Sequence, residues 1–262
     1  MPYTTIQQRQ VYYEISGQGS QTLLLFNGLT MSTLAWGLMT PALEQCFRVL
    51  RLDFQGQGQS EQTAAQLYPL PQQADDAAAL LVQLGIDSVY LVGLSYGGMV
   101  AQHFARRHPQ RLQRLLLAST LAWSDSVNEQ IASSWGAAEQ AGGAELRFNI
   151  SLPWLFSSRF FATASAMLPE LSRVSALTGW QAIQRIIGGV LQHDARSWLS
   201  ELRVPTHVIV GDEDRLTPPY QARLLQQGIP GATLTILPGA GHAIHLEAPQ
   251  AFCQQIFQFA ER

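Results

Sequence analysis

The sequence predicts an α/β fold: a mostly parallel, doubly wound sheet with a helical cap inserted into it. Three observations predict it. Six short apolar runs rich in Leu, Val and Ile show no polar alternation, as expected of strands buried on both faces. Stretches with helical spacing lie between several of them, and strands alternating with helices build a parallel sheet covered on both sides. One stretch of some eighty residues has helical composition and no strand, which predicts an insertion.

The elements follow in chain order. Val11–Ile15, with Tyr and β-branched residues, is expected to be an antiparallel edge strand. Thr22–Asn27 and Arg48–Asp53 are the first buried strands. Gln72–Leu84 places Ala77, Leu80, Leu81 and Leu84 on one helical face and stops at Gly85. The strand Val89–Leu94 runs almost directly into a helix over Tyr96–Arg107, which ends before His108-Pro109, and Arg114–Ala118 is the next strand. The rhythm then breaks from about Leu121 to Leu202. That segment holds five of the six Trp (Trp123, Trp135, Trp154, Trp180, Trp198) and four of the eleven Phe. It ends at Arg203-Val204-Pro205, just before the strand Thr206–Val210. Residues 121–202 are therefore expected to form the cap, and residues 1–120 with 203–262 the core. Thr233–Leu237 is the last strand, and Pro249–Ala260 closes the chain as a helix with Phe252, Ile256 and Phe259 in register.

Composition excludes much chemistry. All 16 basic residues are Arg and none is Lys, so a Schiff base, a Walker-type phosphate loop and the kinase strand lysine are absent. Cys46 and Cys253 are too few for a four-thiolate metal site or a disulfide scaffold. A net charge of -3 offers no basic surface to nucleic acid. The N-terminal residues lack an apolar h-region, and no uncharged apolar run approaches the roughly 20 residues of a membrane span, so a soluble cytoplasmic protein is expected. Only 13% of residues are charged, and the 29 Gln are expected to supply much of the polar surface.

The motif that carries chemistry is Gly93-Leu94-Ser95-Tyr96-Gly97, a G-x-S-x-G at a strand-to-helix turn. The serine sits on a strained turn, where a side chain at Gly93 or Gly97 would strike neighbouring backbone. With this context the chain resembles the α/β-hydrolase superfamily from about Val11 to Phe259, most weakly in the cap. The resemblance implies a Ser, acid, His order. Gly211-Asp212-Glu213-Asp214 up to Pro218 is similar to the family's acid loop and points to Asp214, with Asp212 and Glu213 as competitors. Gly239-Ala240-Gly241-His242, followed by Glu247-Ala248-Pro249, is similar to its histidine loop and points to His242. His245, three residues on, could share a metal with His242, but no third ligand is near and no metal is expected. His103 and His108 read as packing or capping groups and His207 as a strand residue.

The resemblance also implies an oxyanion hole from the backbone N–H groups of Leu29 and Tyr96. Asn27-Gly28 stands where such families usually carry His-Gly; Asn-Gly also occurs in relatives acting on lactones or moving hydroxyacyl chains from a carrier protein. Asp53-Phe54-Gln55-Gly56-Gln57-Gly58-Gln59-Ser60 resembles a family loop whose ends Asp53 and Ser60 tie together; it is not a dinucleotide motif. Serine at the elbow disfavours dehalogenase and epoxide hydrolase chemistry, whose relatives carry Asp there. The expectation is a cofactor-free serine hydrolase of an ester, lactone or thioester with a small to medium apolar acyl group. The alternatives are a carrier-dependent acyltransferase or thioesterase, a carbon–carbon bond hydrolase, a perhydrolase, and lastly a non-enzymatic receptor on the same fold. Asn27, Met31, Trp123, Trp154 and Phe156 are the candidate substrate-binding residues.

Overall fold

The computed structural model describes residues 2–261; Met1 and Arg262, the end residues of the expected core, lie outside the described residues. Eight strands, β1 (Tyr3–Ile6), β2 (Arg9–Ser16), β3 (Thr22–Phe26), β4 (Arg48–Leu52), β5 (Val89–Leu94), β6 (Leu112–Ala118), β7 (Thr206–Gly211) and β8 (Thr233–Leu237), form one sheet in the order β1-β2-β4-β3-β5-β6-β7-β8. The pairs β1–β2 and β2–β4 are antiparallel and the others parallel. The helices of the sheet layer are α1 (Thr40–Leu43), α2 (Leu70–Gln83), α3 (Tyr96–Arg107), α8 (Pro219–Gly228), α9 (Ile244–Glu247) and α10 (Pro249–Glu261).

Strand periodicity explains the two layers. Alternate residues of one strand face opposite sides. Leu24 and Phe26, Leu115 and Leu117, and Val208 and Val210 therefore pack in one cluster with Leu80 and Leu81 of α2, Phe104 of α3 and Leu225 of α8. Leu23 and Leu25, Leu116, and Ile209 pack in the other with Leu43 of α1 and Phe252, Ile256 and Phe259 of α10. Because both faces are covered, the strands carry uninterrupted apolar runs.

The N-terminal edge corrects the sequence expectation. Val11–Ile15 lies in β2, which is hydrogen-bonded on both sides, and β1 is the edge. The hairpin turn is Gln7-Gln8, with φ of 47° and 66°. Such turns ordinarily carry Asn or Gly, so nothing in Gln-Gln announces it. Glutamine also departs from its expected surface role. Gln57, Gln73, Gln102 and Gln221 are buried, and their amides tie loops together; Gln221, for example, accepts from the Ala122 N–H and donates to the Trp123 carbonyl.

Between β6 and β7 lie α4 (Ser126–Leu155), α5 (Ser158–Thr163), α6 (Leu168–Ser175) and α7 (Trp180–Val190), with one isolated bridge, Trp123–Asp194. Asp125 caps α4 by accepting from the Val127 and Asn128 N–H groups. Gly142 and Gly143 leave helical geometry and bend α4 into two arms.

Candidate active site

Every candidate side chain in the sheet layer leaves the carboxyl edge of a strand, where open α/β sheets bind their ligands. Ser95 follows β5 at φ 54°, ψ -117°, outside the regions an L-residue ordinarily occupies. Sterics hold it there. A Cβ built on Gly93 would lie 2.5 Å from the Gly97 carbonyl oxygen, and one on Gly97 2.3 Å from that of Phe26. The Ser95 N–H donates to the Ala118 carbonyl, and the Ser95 carbonyl accepts from the Thr120 hydroxyl at 2.7 Å.

The loops after β7 and β8 bring the other two groups in. His242 Nε2 lies 2.9 Å from Ser95 Oγ, and its Nδ1 lies 3.0 Å from Asp214 Oδ2. All three side chains are buried. Asp214 also accepts from the Leu216 and Thr217 N–H groups and from the Thr217 hydroxyl at 2.7 Å. Its carboxylate is thereby held beside the His242 imidazole, and Thr217 is a partner the motif did not mark. The competing acids have other partners. Asp212 accepts from the Gly239 N–H, and Glu213 accepts from the Ser158 N–H and hydroxyl. Glu247 accepts from the Gly241 N–H beside His242 and from Ser157 at the foot of α5, joining the histidine loop to that helix.

The turn after β3 completes the edge. Asn27 donates to the Leu52 carbonyl and Asp53 Oδ1 and accepts from Trp36 Nε1 at 2.8 Å. Gln57 donates to the Gly28 carbonyl at 2.7 Å. Asp53 accepts from the Thr33 and Gln59 N–H groups, while Ser60 donates to the Asp53 carbonyl, so the glycine loop is a tie. Burial raises the Asp53 pKa, and those two N–H groups and the Asn27 amide oppose the shift. Next to this frame, the Leu29 and Tyr96 N–H groups donate to no acceptor among the described residues. Both residues line a cavity of about 660 Å³ that also reaches Ser95 and His242. Its wall is mostly apolar and includes Met31 and Phe156, Ile131 and Trp135 of α4 and Ile183 of α7.

The model of the alpha/beta hydrolase family matches residues 23–255, nearly the whole chain. The chain belongs to the alpha/beta hydrolase family. It is 30% identical to the pimeloyl-[acyl-carrier protein] methyl ester esterase of Aeromonas hydrophila, over 95% of this chain and 98% of that one. It is 26% identical to a carbamate hydrolase, RutD, of Caulobacter sp., over 95% of each chain. Among solved structures, the enol-lactonase of Burkholderia xenovorans superposes with a TM-score of 0.91 at 27% identity, over 100% of both chains.

In this alpha/beta hydrolase the five candidate substrate-binding residues separate. Met31 and Phe156 line the cavity; Asn27, Trp123 and Trp154 do not. Asn27 is fully buried with its amide spent on the turn. Trp123 is half-buried against the sheet-layer core and covered by the Arg196 guanidinium, 3.9 Å above its ring. Trp154 is half-buried outside the cavity wall. Tryptophan abundance therefore marks packing of the inserted segment on the core more than the cavity. Trp198 shows the same, packed on His103 under Arg106. The other histidines are mostly structural. The buried His193 faces the half-buried His103, and desolvation lowers their pKa values to about 3 and about 4 respectively. His245 packs near Trp36, and burial, aided by His242, lowers it to about 3.

Proposed function

We propose that the chain is a serine hydrolase that cleaves a carboxylic ester, lactone or thioester with a small to medium apolar acyl group, through an acyl-enzyme on Ser95. The single observation that carries this reading is the hydrogen-bonded line Ser95 Oγ, His242 Nε2, His242 Nδ1, Asp214 Oδ2 at the base of an apolar cavity. His242 takes the Ser95 proton as Oγ attacks the carbonyl carbon, and Asp214 stabilises the imidazolium that forms. The unpaired N–H groups of Leu29 and Tyr96 receive the oxyanion, each such donor contributing about 3 kcal/mol. His242 returns the proton to the leaving alkoxide or thiolate. Water, activated by the same ring, then releases the acid. No step calls on a metal or a cofactor.

Residues 121–202 act in this reading as a cap that closes the apolar acyl site. The ester and lactone activities named for the Aeromonas and Burkholderia relatives agree with the chemistry.

Intact-mass labelling with a fluorophosphonate tests the nucleophile. The wild-type protein gains one adduct, and Ser95→Ala gains none; an unlabelled wild-type protein overturns the proposal. Comparing p-nitrophenyl esters with acyl thioesters in the presence of an added alcohol tests the reaction. Hydrolysis is expected to dominate, and transfer outpacing hydrolysis would make the protein an acyltransferase.

A further inference from the structure

We propose that Arg147 determines specificity: its guanidinium binds an uncharged oxygen acceptor, a carbonyl or hydroxyl, carried on the substrate's apolar chain away from the scissile bond. This rests on the ester-hydrolase reading above and names a feature of its substrate.

Arg147 sits on the cavity wall, 5% exposed, in a mostly apolar lining. Its Nε donates to Glu139 Oε2 at 2.8 Å. Of the five N–H donors of a guanidinium, that is the one with a partner; neither Nη meets an acceptor among the described residues. Two other polar side chains that α4 puts on this wall are spent. Ser151 donates to the Phe148 carbonyl, and Asn128 is held between the Asp125 N–H and the Leu216 carbonyl. A second donor lines the same cavity: the indole N–H of Trp135 is buried without an acceptor among the described residues. The Trp180 ring packs beside Arg147, its centroid 5.8 Å from the guanidinium carbon. The Arg147 Nη groups are thus open to the cavity, and a few polar groups in an apolar pocket orient a ligand.

Charge selects the acceptor. Glu139 already neutralises Arg147, so a carboxylate would leave a net negative charge in an apolar cavity, whereas a carbonyl or hydroxyl would not. Helix geometry sets the distance. Arg147, Ser151 and Leu155 share one face of the second arm of α4, and the Leu155 carbonyl accepts from Ala243, the neighbour of His242. Eight residues at 1.5 Å each put Arg147 about 12 Å along the helix from that end. The acceptor therefore belongs far along a medium-length chain.

The test compares p-nitrophenyl decanoate with a series of p-nitrophenyl oxodecanoates, the ketone moved stepwise along the chain, and with a p-nitrophenyl monoester of a dicarboxylic acid of equal length. In the wild-type protein one ketone position is expected to raise kcat/KM about tenfold over decanoate. In Arg147→Met that ratio falls to about one, whatever the absolute rates. Glu139→Gln, which leaves the guanidinium charge uncompensated, raises the ratio of the carboxylate-bearing ester to decanoate. A flat wild-type series, or a ketone preference that survives in Arg147→Met, overturns the proposal. Should Arg147→Met fail to fold, an unchanged carboxylate ratio in Glu139→Gln overturns it instead. Fluorophosphonate labelling of each protein separates the two readings. Labelling without a ketone preference removes the role of Arg147 alone, whereas no labelling and no turnover removes the ester-hydrolase reading itself.

Discussion

The cavity has two walls, and they are held by different forces. On the sheet side, the turns after β3, β5, β7 and β8 are locked by hydrogen bonds and by backbone packed on backbone. Asn27, Asp53, Gln57, Thr120 and Thr217 each hold a neighbouring loop, the Ser95 backbone or Asp214. On the side of residues 121–202, α4 is bent at two glycines, Phe156 stacks on Phe160 with ring centroids 4.2 Å apart, and the Arg147 Nη groups and the Trp135 indole N–H have no acceptor among the described residues. A wall of directed bonds allows one geometry, whereas a wall of side-chain contacts tolerates volume-conserving exchange. The chemistry should therefore be brittle and the selectivity adjustable.

The largest effect falls on the sheet side. Ser95→Ala and His242→Ala should each lower kcat by at least about ten-thousand-fold, with Asp214→Asn near that value. Asp212→Asn, measured alongside on a p-nitrophenyl ester, should lose less than about threefold; the reverse order would move the acid. Glycine substitutions compare the walls directly. Gly97→Ala drives a Cβ to 2.3 Å from the Phe26 carbonyl oxygen and should cost about 2–3 kcal/mol in urea denaturation, together with activity. Gly179→Ala, just before α7, meets nothing within 4 Å and has ordinary extended backbone (φ -62°, ψ 144°), so it should cost less than about 1 kcal/mol. Equal costs would erase the contrast.

Thr217→Val removes the hydroxyl that holds Asp214 and should lower kcat about tenfold to hundredfold while leaving KM near its wild-type value. Acid should weaken the seam between the walls. His103 of α3 and His193, just after α7, are neutral in the fold, with pKa values lowered to about 4 and about 3 by burial. Unfolded histidines bind protons below about pH 6.5, so the unfolded state gains protons first and stability falls as pH drops from about 6.5 toward 4. His193→Gln should show a shallower fall in Tm over that range than the wild-type protein; parallel curves would remove the seam from the explanation. The smallest effect belongs to tryptophans outside the cavity. Trp123→Phe and Trp154→Phe should leave the acyl-chain preference unchanged, whereas Phe156→Ala should shift it toward bulkier acyl groups.

Much of this protein is legible in the chain because its signals are local. An apolar run without alternation marks a strand covered on both sides, and a G-x-S-x-G between a strand and a helix marks a turn whose glycines have no room for a side chain. Those two facts are enough for the order of the parallel core strands along the chain and for Ser95. The family resemblance points to Asp214 over its neighbours and to His242 over His245; in the fold His242 lies between Ser95 and Asp214. Contacts between distant segments are a different matter. Gln7-Gln8 turns the edge hairpin without a turn residue, and Asn27 spends its amide on Leu52, Asp53 and Trp36 instead of facing the cavity. Five tryptophans crowd one segment, yet only Trp135 among them reaches the cavity wall, because a large aromatic ring serves equally well to pack helix on sheet. Whether a buried polar group is satisfied depends on which atoms the fold brings within 3 Å of it. That is why the sequence alone determined the fold class and the turn that carries Ser95, while the tertiary structure decided that the Thr217 hydroxyl bonds Asp214 and that Arg147 is left with donors to offer.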